Sequence, residues 1–300
     1  MKTTSLLNNH VITGTLCAGT VLFAAAAASA QNVFVSTYGG GDIYQVTPGG
    51  TASVYASGQN FPAGIAFNSS GDLFIGNSAN NNGENGNITE ITPGGMASVF
   101  YSGLDPDGLA FNSTGNLFEV DYRNGALYEY TPTGTQSTFA SGFSSPLSLA
   151  FDNSGNLFVG AGYGNGNGYI EEFAPGGTHS MFATGLSFPN GMAFNSAGDL
   201  FVSSETSGVI GEYTPGGVQS TFVTLPIGVN GLAFNSAGDL FAVAGTGTIY
   251  EVTPGGVQST FATISGGGDQ LAFQPVPEPS TLALLAAGAS AVALRLRRKI

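Results

Sequence analysis

The chain has 300 residues, including 47 glycines and a single cysteine, and its formal net charge is −13. One of its six basic residues, Arg123, lies within residues 31–276, whereas eighteen of the nineteen acidic residues lie there. That span would repel a phosphate backbone or an anionic membrane surface, which argues against nucleic acid as a partner. Cations, neutral glycans and basic surfaces are compatible with it. The cysteine, Cys17, lies outside the span, so disulfides and thiolate metal sites are excluded from it.

The first 30 residues have the pattern of a secretory signal peptide. Lys2 precedes an apolar run over residues 11–28, and the run ends in Ala28-Ser29-Ala30. A short apolar segment followed by small residues at alternate positions is typical of a signal-peptidase site. We therefore predict cleavage between Ala30 and Gln31, with export of the chain that follows.

An Ala-Phe pair then recurs six times, at intervals of 39 to 44 residues. A period of about 40 residues without a helical pattern predicts an array of small sheets, stacked or radial. The six pairs are Ala66-Phe67, Ala110-Phe111, Ala150-Phe151, Ala193-Phe194, Ala233-Phe234 and Ala272-Phe273.

Each period contains four short apolar segments separated by turn signals. In the unit that begins at Gly191, the segments are residues 191–194, 200–202, 210–213 and 220–223. The first turn starts with Asn195, whose side chain suits an Asx turn, and the third is Thr-Pro-Gly-Gly. Four antiparallel strands per period are typical of a propeller blade.

The two ends of the repeat region are complementary. It begins at a second strand, residues 33–35, and ends at a first strand, residues 271–273. We therefore predict an all-β fold over residues 31–274: a six-bladed β-propeller of four-stranded antiparallel blades. The last blade is closed by one C-terminal strand and three N-terminal strands, which hides the sheet edges. A linear β-solenoid is the alternative, but it would not need complementary ends.

The repeat resembles NHL-repeat and gluconolactonase-like six-bladed propellers. The resemblance rests on a Pro-x-Gly-x-Ala-Phe-Asn first strand, a Gly-Asp/Asn-Leu-Phe second strand and the run of residues 120–124. Propellers of this kind bind ligands at the mouth of the central channel, where the first strands begin. The residues three before each anchor alanine should ring this mouth: Ala63, Asp107, Leu147, Asn190, Asn230 and Asp269.

Four residues of this ring, Asp107, Asn190, Asn230 and Asp269, carry side-chain oxygens. Carboxylate and amide oxygens are the ligands that Ca²⁺ prefers. We therefore predict that these four line the ligand site, and they are our candidate ligands for one divalent cation. The alternative is that they only start strands and accept hydrogen bonds in turns.

The gluconolactonase-like family implies a metal held by a Glu, by the Asn of a Pro-Asn-Gly turn and by the Asp of a Pro-Asp-Gly turn. In this chain Asn190 and Asp107 occupy such turns, but the first-blade position is Ala63, and no counterpart of the Glu is evident. This departure weighs against the family's catalytic activity in this chain.

The C-terminus contains Pro277-Glu278-Pro279, an apolar stretch over residues 281–294 and a cluster of basic residues. Residues 275–300 resemble a PEP-CTERM sorting signal. The resemblance implies a transient transmembrane anchor, removed by an exosortase near Pro277, Glu278 and Pro279, in a Gram-negative bacterium that makes extracellular polysaccharide. A plain tail anchor is the alternative, although fourteen residues span only about 21 Å of a bilayer core of about 30 Å.

These observations favour an exported, non-enzymatic binding or scaffold protein of the cell surface or extracellular matrix. Signal peptidase and exosortase are its expected processing partners, and polysaccharide or another surface protein its expected ligand. The alternative is a metal-dependent lactonase or hydrolase of the gluconolactonase-like type.

Overall fold

The computed structural model describes residues 31–78 and 86–275. The predicted signal peptide, with its cleavage site at Ala30, and the predicted tail from residue 276 onward, with Pro277, Glu278 and Pro279, lie outside the described residues. In the two described ranges, no helix has the length and apolar character needed to cross a membrane.

The described residues form 24 strands. The chain begins with β1 (Val33–Thr37), β2 (Asp42–Val46) and β3 (Ala52–Ala56). Blade 1 contains β4 (Pro62–Phe67), β5 (Leu73–Asn77), β6 (Gly86–Ile91) and β7 (Ala97–Leu104). Blade 2 contains β8 (Pro106–Phe111), β9 (Leu117–Asp121), β10 (Ala126–Tyr130) and β11 (Gln136–Ser141). Blade 3 contains β12 (Pro146–Phe151), β13 (Leu157–Ala161), β14 (Asn165–Phe173) and β15 (His179–Ser187).

Blade 4 contains β16 (Met192–Phe194), β17 (Leu200–Ser203), β18 (Val209–Tyr213) and β19 (Gln219–Thr224). Blade 5 contains β20 (Val229–Phe234), β21 (Leu240–Ala244), β22 (Thr248–Val252) and β23 (Gln258–Thr263), and β24 (Leu271–Phe273) follows. Each blade is one four-stranded antiparallel sheet.

The sixth blade is assembled from both ends of the described chain. Strand β24 pairs antiparallel with β1, with Val33 opposite Phe273 and Val35 opposite Leu271. The sheet order is β24-β1-β2-β3, so one C-terminal strand completes three N-terminal ones. The predicted six-bladed propeller and its closure are therefore confirmed.

The core lies between adjacent blades, and the second strands are its centre. Five of the six, all but the four-residue β17, are buried along five consecutive residues, and β17 is buried along all four. In blade 4, Phe201 makes edge-to-face contacts with Phe222 at 4.9 Å and with Phe234 of blade 5 at 5.0 Å. Each such pair contributes about 0.5–1.5 kcal/mol beyond area burial. The same trio recurs in all six blades, around Phe34, Phe74, Phe118, Phe158, Phe201 and Phe241.

The glycine of the Pro-x-Gly motif lets the first strands of neighbouring blades approach closely. A Cβ at Gly64 would overlap the backbone oxygen of Asp107, and one at Gly191 would overlap that of Asn230. The equivalent position is Ser148 in blade 3 and Gln270 in blade 6. The channel between the first strands is consequently narrow.

The up-and-down order of the strands gives the propeller two distinct faces. On the mouth face the first strands begin, and second strands connect to third strands there. On the turn face, first strands connect to second strands and third strands to fourth strands. The described chain enters and leaves at the turn face, where the Gln31 side-chain amide donates to the Gln274 carbonyl at 3.0 Å.

The turn face repeats one hydrogen-bonding scheme. The Asn195 side-chain oxygen accepts from the backbone N–H groups of Ala197 at 2.9 Å and Asp199 at 2.8 Å, as an Asx turn requires. The same position forms the same bonds in four more blades, at Asn68, Asn112, Asp152 and Asn235.

Candidate functional site

The predicted ring lies at the mouth ends of the first strands, and its two apolar members are part of the core. Ala63 has no exposed surface and Leu147 is 7% exposed. The structure therefore divides the ring into a buried apolar pair and four polar residues, Asp107, Asn190, Asn230 and Asp269.

Asp107 and Asp269 are the chemically unusual members of the ring. Burial raises the pKa of Asp107 well above its ordinary value, and the charges of Asp269, Asp105 and Glu205 raise it further. Burial raises the pKa of Asp269 to about 7, with a further contribution from Glu205 and an opposing hydrogen bond from Asn230. Carboxylates that disfavour one another's charge in this way must lie close together. The mouth therefore gathers carboxyl groups that oppose one another's ionisation.

The two asparagines of the ring have different partners. The Asn230 side-chain amide donates to the Gly268 carbonyl at 3.0 Å and to the Asp269 carboxylate at 3.5 Å. Asn190 is buried, and its side-chain and backbone oxygens accept from the Gln270 amide at 3.1 and 3.0 Å. Asn230 thus belongs to the acidic site, whereas Asn190 is engaged by a glutamine from two blades away.

Gln270 closes the channel at the level of the glycines. Its side chain reaches from blade 6 to blade 4, where it holds Asn190. The cavity at this level, lined in part by Gly64, Gly108 and Gln270, has a volume of about 30 Å³. That space suits about one water molecule. A ligand would therefore rest on the mouth and would not pass into the channel.

Sequence reasoning missed three further residues of the mouth. Asp105 is 8% exposed and lies 3.4 Å from Arg123 Nε, and Glu205 is an exposed residue of the β17–β18 connection. The charges of Asp107, Asp105 and Asp269, after burial, raise the pKa of Tyr38, so this phenol also faces the acidic site. All three lie in mouth-face connections, where the repeat is irregular, and that irregularity was the available signal.

A second acidic group extends from the mouth into blade 2. Asp121 is fully buried, and its carboxylate accepts from the Asn124 backbone and side-chain amides at 2.8 and 2.9 Å. These bonds fix the connection that carries Arg123. Glu119 is also fully buried, and Tyr130 donates a long 3.4 Å hydrogen bond to one of its oxygens while the other has no partner. Burial, with the charge of Asp121, raises the pKa of Glu119 well above its ordinary value.

The arrangement does not fit the metal set that the gluconolactonase-like resemblance implies. Ala63 supplies no ligand, and Asn190 directs its side-chain oxygen to Gln270. Among the described residues, no three His, Cys, Asp or Glu side chains are grouped so as to hold a metal ion. The described residues therefore do not reproduce the metal site that the resemblance implies. The one histidine of the described ranges, His179, lies far out in the blade: its side chain is 60% exposed and 3.4 Å from Glu171.

Hollows larger than the channel cavity lie among the described residues of the turn face. One of about 540 Å³ lies between blades 4 and 5, and another of about 350 Å³ lies between blades 2 and 3. Both are lined by turn residues and by the recurring phenylalanines, such as Phe222 and Phe139. They are grooves that the repeat makes at its seams, and no set of pKa-shifted carboxylates converges on them as at the mouth.

Taken together, the described residues form a six-bladed propeller of four-stranded blades with an acidic mouth. Residues 275–299 match the model of the PEP-CTERM protein-sorting motif, so the chain carries this motif at its C-terminus. None of the curated proteins compared with the chain matches it.

Solved structures show the same fold at low sequence identity. A structure described as a putative gluconolactonase is 20% identical, covering 72% of this chain and 82% of its own, with a TM-score of 0.63. A gluconolactonase from Xanthomonas campestris is 15% identical over 83% of this chain and 94% of its own, with a TM-score of 0.61. Regucalcin from Agrobacterium tumefaciens, described as a calcium-binding protein, is 18% identical over 71% of this chain and 77% of its own, with a TM-score of 0.60.

Proposed function

We propose that the protein is an exported, non-enzymatic binding propeller of the cell envelope or extracellular matrix of a Gram-negative bacterium. In this proposal an exosortase processes the C-terminal motif, and the mouth binds a cationic ligand. The sorting part rests on the match of residues 275–299 to the PEP-CTERM protein-sorting motif.

The binding part rests on one observation, the convergence of carboxylates on the mouth. Asp105, Asp269 and Glu205 all act on Asp107, whose pKa burial also raises. The one basic residue of the span, Arg123, pairs with Asp105 and leaves the other three carboxylates without a cation. A positively charged ligand would remove this mutual repulsion, so its binding would stabilise the fold.

The course of the chain supports a mouth that faces away from the membrane. Strand β24 runs from the mouth face to the turn face, and Gln274 contacts Asn32 there at 3.0 Å. A tail that starts at residue 275 and enters a bilayer would hold the turn face toward the membrane. The acidic mouth then points outward, away from anionic lipid.

Calcium titration of the exported protein tests the binding part. We expect the melting temperature to rise with added Ca²⁺ and to return with chelator, because ions that bind only the folded state stabilise it. The rise should be lost in Asp107→Asn and Asp269→Asn and kept in Glu172→Gln, which removes an acid from outer strand β14. An unchanged melting temperature, or an equal rise in the Asp107 variant, would contradict a divalent cation as the ligand of these carboxylates.

Mass spectrometry of the protein recovered from its host tests the sorting part. We expect a C-terminus near Pro277-Glu278-Pro279 and an N-terminus at Gln31. Replacing Glu278 by Ala should leave the tail uncleaved. An intact tail in the unchanged protein at the cell surface would contradict exosortase processing.

A metal-dependent lactonase of the gluconolactonase-like type is the second candidate. It is favoured by the structural likeness to gluconolactonases and by Asn190 and Asp107 in Pro-Asn-Gly and Pro-Asp-Gly turns. A screen against sugar lactones with Ca²⁺, Zn²⁺ or Mn²⁺ would separate the two functions. Turnover that Asn190→Ala abolishes would replace the first proposal by the second.

A further inference from the structure

Two aromatic pairs stand at the mouth with little protein cover. Tyr38 packs on Phe61 with ring centroids 5.2 Å apart, and these residues are 46% and 36% exposed. Tyr163 packs edge-to-face on Phe188 at 4.5 Å and is 61% exposed. Exposed aromatic residues on a protein that otherwise buries its phenylalanines between blades indicate a contact surface.

The two pairs lie on opposite sides of the channel. Tyr38 follows β1 of blade 6 and Phe61 precedes β4 of blade 1, so this pair lies at the seam between blades 6 and 1. Tyr163 follows β13 of blade 3 and Phe188 precedes β16 of blade 4. The two seams are three blades apart in a ring of six, which places them about half a turn from one another.

Both pairs border the acidic site. Burial, and then the charges of Asp107, Asp105 and Asp269, raise the pKa of the Tyr38 phenol. The Phe188 carbonyl accepts a hydrogen bond from the Glu205 backbone N–H at 3.5 Å. The charge of Glu205 in turn contributes to the raised pKa values of Asp107 and Asp269. The carboxylates therefore lie between two aromatic surfaces.

The aromatic side chains are an addition to the repeat and not a requirement of it. Phe61 and Phe188 each precede the proline of a first strand, with φ of 48° and 47°. Ser145 occupies the equivalent place in blade 3 with φ of 49°, so the left-handed backbone does not need an aromatic residue. The backbone conformation consequently does not require Phe at these two positions, and each Phe ring instead packs on a tyrosine of the mouth.

We propose that the two aromatic pairs and the carboxylates between them dock a cationic glycan, an oligosaccharide of hexosamines with free, protonated amino groups. The proposal rests on the proposed function and names its ligand class. A sugar ring presents an apolar C–H face to an aromatic ring while its amine meets a carboxylate nearby. A basic peptide would offer charge on long, flexible side chains, whose ordering costs more.

The opposed position of the pairs also predicts a preference for chain length. A single sugar can contact one aromatic pair, whereas an oligomer can contact both across the acidic centre. Linking the two contacts raises the apparent affinity without any new interaction. We therefore expect a glucosamine hexamer to bind the exported protein more tightly than glucosamine itself.

Isothermal titration of the exported protein with three probes tests the inference. The probes are a glucosamine hexamer, the fully N-acetylated hexamer and a lysine hexamer. The first should bind at least about tenfold more tightly than the other two, because it alone combines charge with sugar faces. Equal binding by the N-acetylated hexamer would overturn the role of charge, and equal or tighter binding by the lysine hexamer would favour a basic peptide as the partner.

Variants separate the aromatic surfaces from the acidic site. Tyr38→Ala with Tyr163→Ala should weaken the glucosamine hexamer about tenfold or more and leave the Ca²⁺-dependent rise in melting temperature unchanged. Tyr38→Phe with Tyr163→Phe should retain binding, and Val218→Ala with Val257→Ala, exposed on the turn face, should have no effect.

Full binding in the double alanine variant would overturn the inference while the proposed function stands. Absence of any effect of Ca²⁺ and of all three probes would overturn both.

Discussion

The same six repeats make the turn face and the mouth face. The connections between strands are alike from blade to blade on the turn face but differ on the mouth face. On the turn face, Asn68, Asn195 and Asn235 form the same Asx bonds to the residues two and four positions on. In blade 3 the two residue types are swapped, with Asp152 at the first position of the turn and Asn156 at the last. The hydrogen bonds from the Asn156 backbone and side-chain N–H groups to the Asp152 carboxylate are still formed. On the mouth face the corresponding connections differ from blade to blade in length and chemistry.

This difference separates two tasks of the same sequence. The turn face joins strands at fixed angles, which any blade needs, so one solution serves every blade. The mouth face gathers Asp107 of blade 2, Glu205 of blade 4, and Tyr38 and Asp269 of blade 6 into a single site. A repeat can therefore secure the scaffold, while its departures indicate where binding is to be sought.

The largest effect expected from a single substitution is at the first-strand glycine near the mouth. Gly191→Ala places a Cβ against the backbone oxygen of Asn230 in the next blade, which cannot move without opening the seam. We expect the free energy of unfolding to fall by about 3 kcal/mol, which is at the upper end of the range for overpacked cores. The melting temperature should then be lowered by about 6–12 °C. Circular dichroism melts would measure it.

Gly176→Ala on the turn face is the matched control, because a Cβ there meets nothing within 4 Å. Its effect should stay within about 0.5 kcal/mol. Equal effects at Gly176 and Gly191 would show that close approach of the first strands does not matter.

The next largest effect is a gain in stability, expected when the buried carboxyl group of Glu119 in blade 2 is removed. Glu119 stands where other second strands have Val35, Ile75, Val159 and Val202. We expect Glu119→Val to stabilise the fold by about 1–3 kcal/mol at pH 8, because a carboxyl with one unpartnered oxygen leaves the core. Tyr130 keeps its 2.9 Å bond from the Gln136 amide.

The sign of the pH dependence gives a second readout for Glu119. Its pKa is raised in the folded state, so the protonated carboxyl favours folding at low pH, and this contribution is lost as the pH rises above about 4.5. Chemical denaturation should therefore show a gain from Glu119→Val, and a smaller one from Glu119→Gln, that grows with pH. A loss of stability in both variants at every pH would contradict this prediction.

The mouth itself should show a pH-dependent stability in the absence of ligand. The pKa of Asp269 is about 7 in the folded state against 3.8 ordinarily, so stability from this group is lost as the pH rises from about 4 to 7. We expect Asp269→Asn to flatten the fall in melting temperature over that range. Glu205→Gln should flatten it in part, because the charge of Glu205 contributes to the shift. If the melting temperature of both variants fell with pH as steeply as that of the unchanged protein, the assignment of this pH dependence to Asp269 would be wrong.

The smallest expected effect is on the turn face. Asn195→Ala removes two hydrogen bonds from backbone N–H groups and should cost about 1 kcal/mol, or about 2–4 °C in melting temperature. Binding of Ca²⁺ or glycan at the mouth should be unchanged. An Asn195→Ala protein of normal stability that no longer binds Ca²⁺ or glycan would contradict the assignment of binding to the mouth face alone.

The sequence was sufficient to predict the blades, their number and the way the ring closes. Each of these follows from local patterns: apolar segments, the turn chemistry at Asn195 or Thr214 and the phase of the repeat at residues 33 and 271. It also predicted that Asp107 and Asp269 lie where first strands begin, because first strands of equal register start at the same level. Each pattern that carries these predictions is local in the chain, although the closure that it predicts joins β24 to β1.

Tertiary structure decided what the mouth is. Gln270 stands at a glycine position of the repeat, but its bond to Asn190, 80 residues away, exists only in the closed ring. The proximity of Glu205 to Asp107 and the burial of Glu119 between blades depend on the same closure. Charge repulsion, burial and contact act through space, and the spacing of residues along a chain does not state which side chains reach one another across a channel.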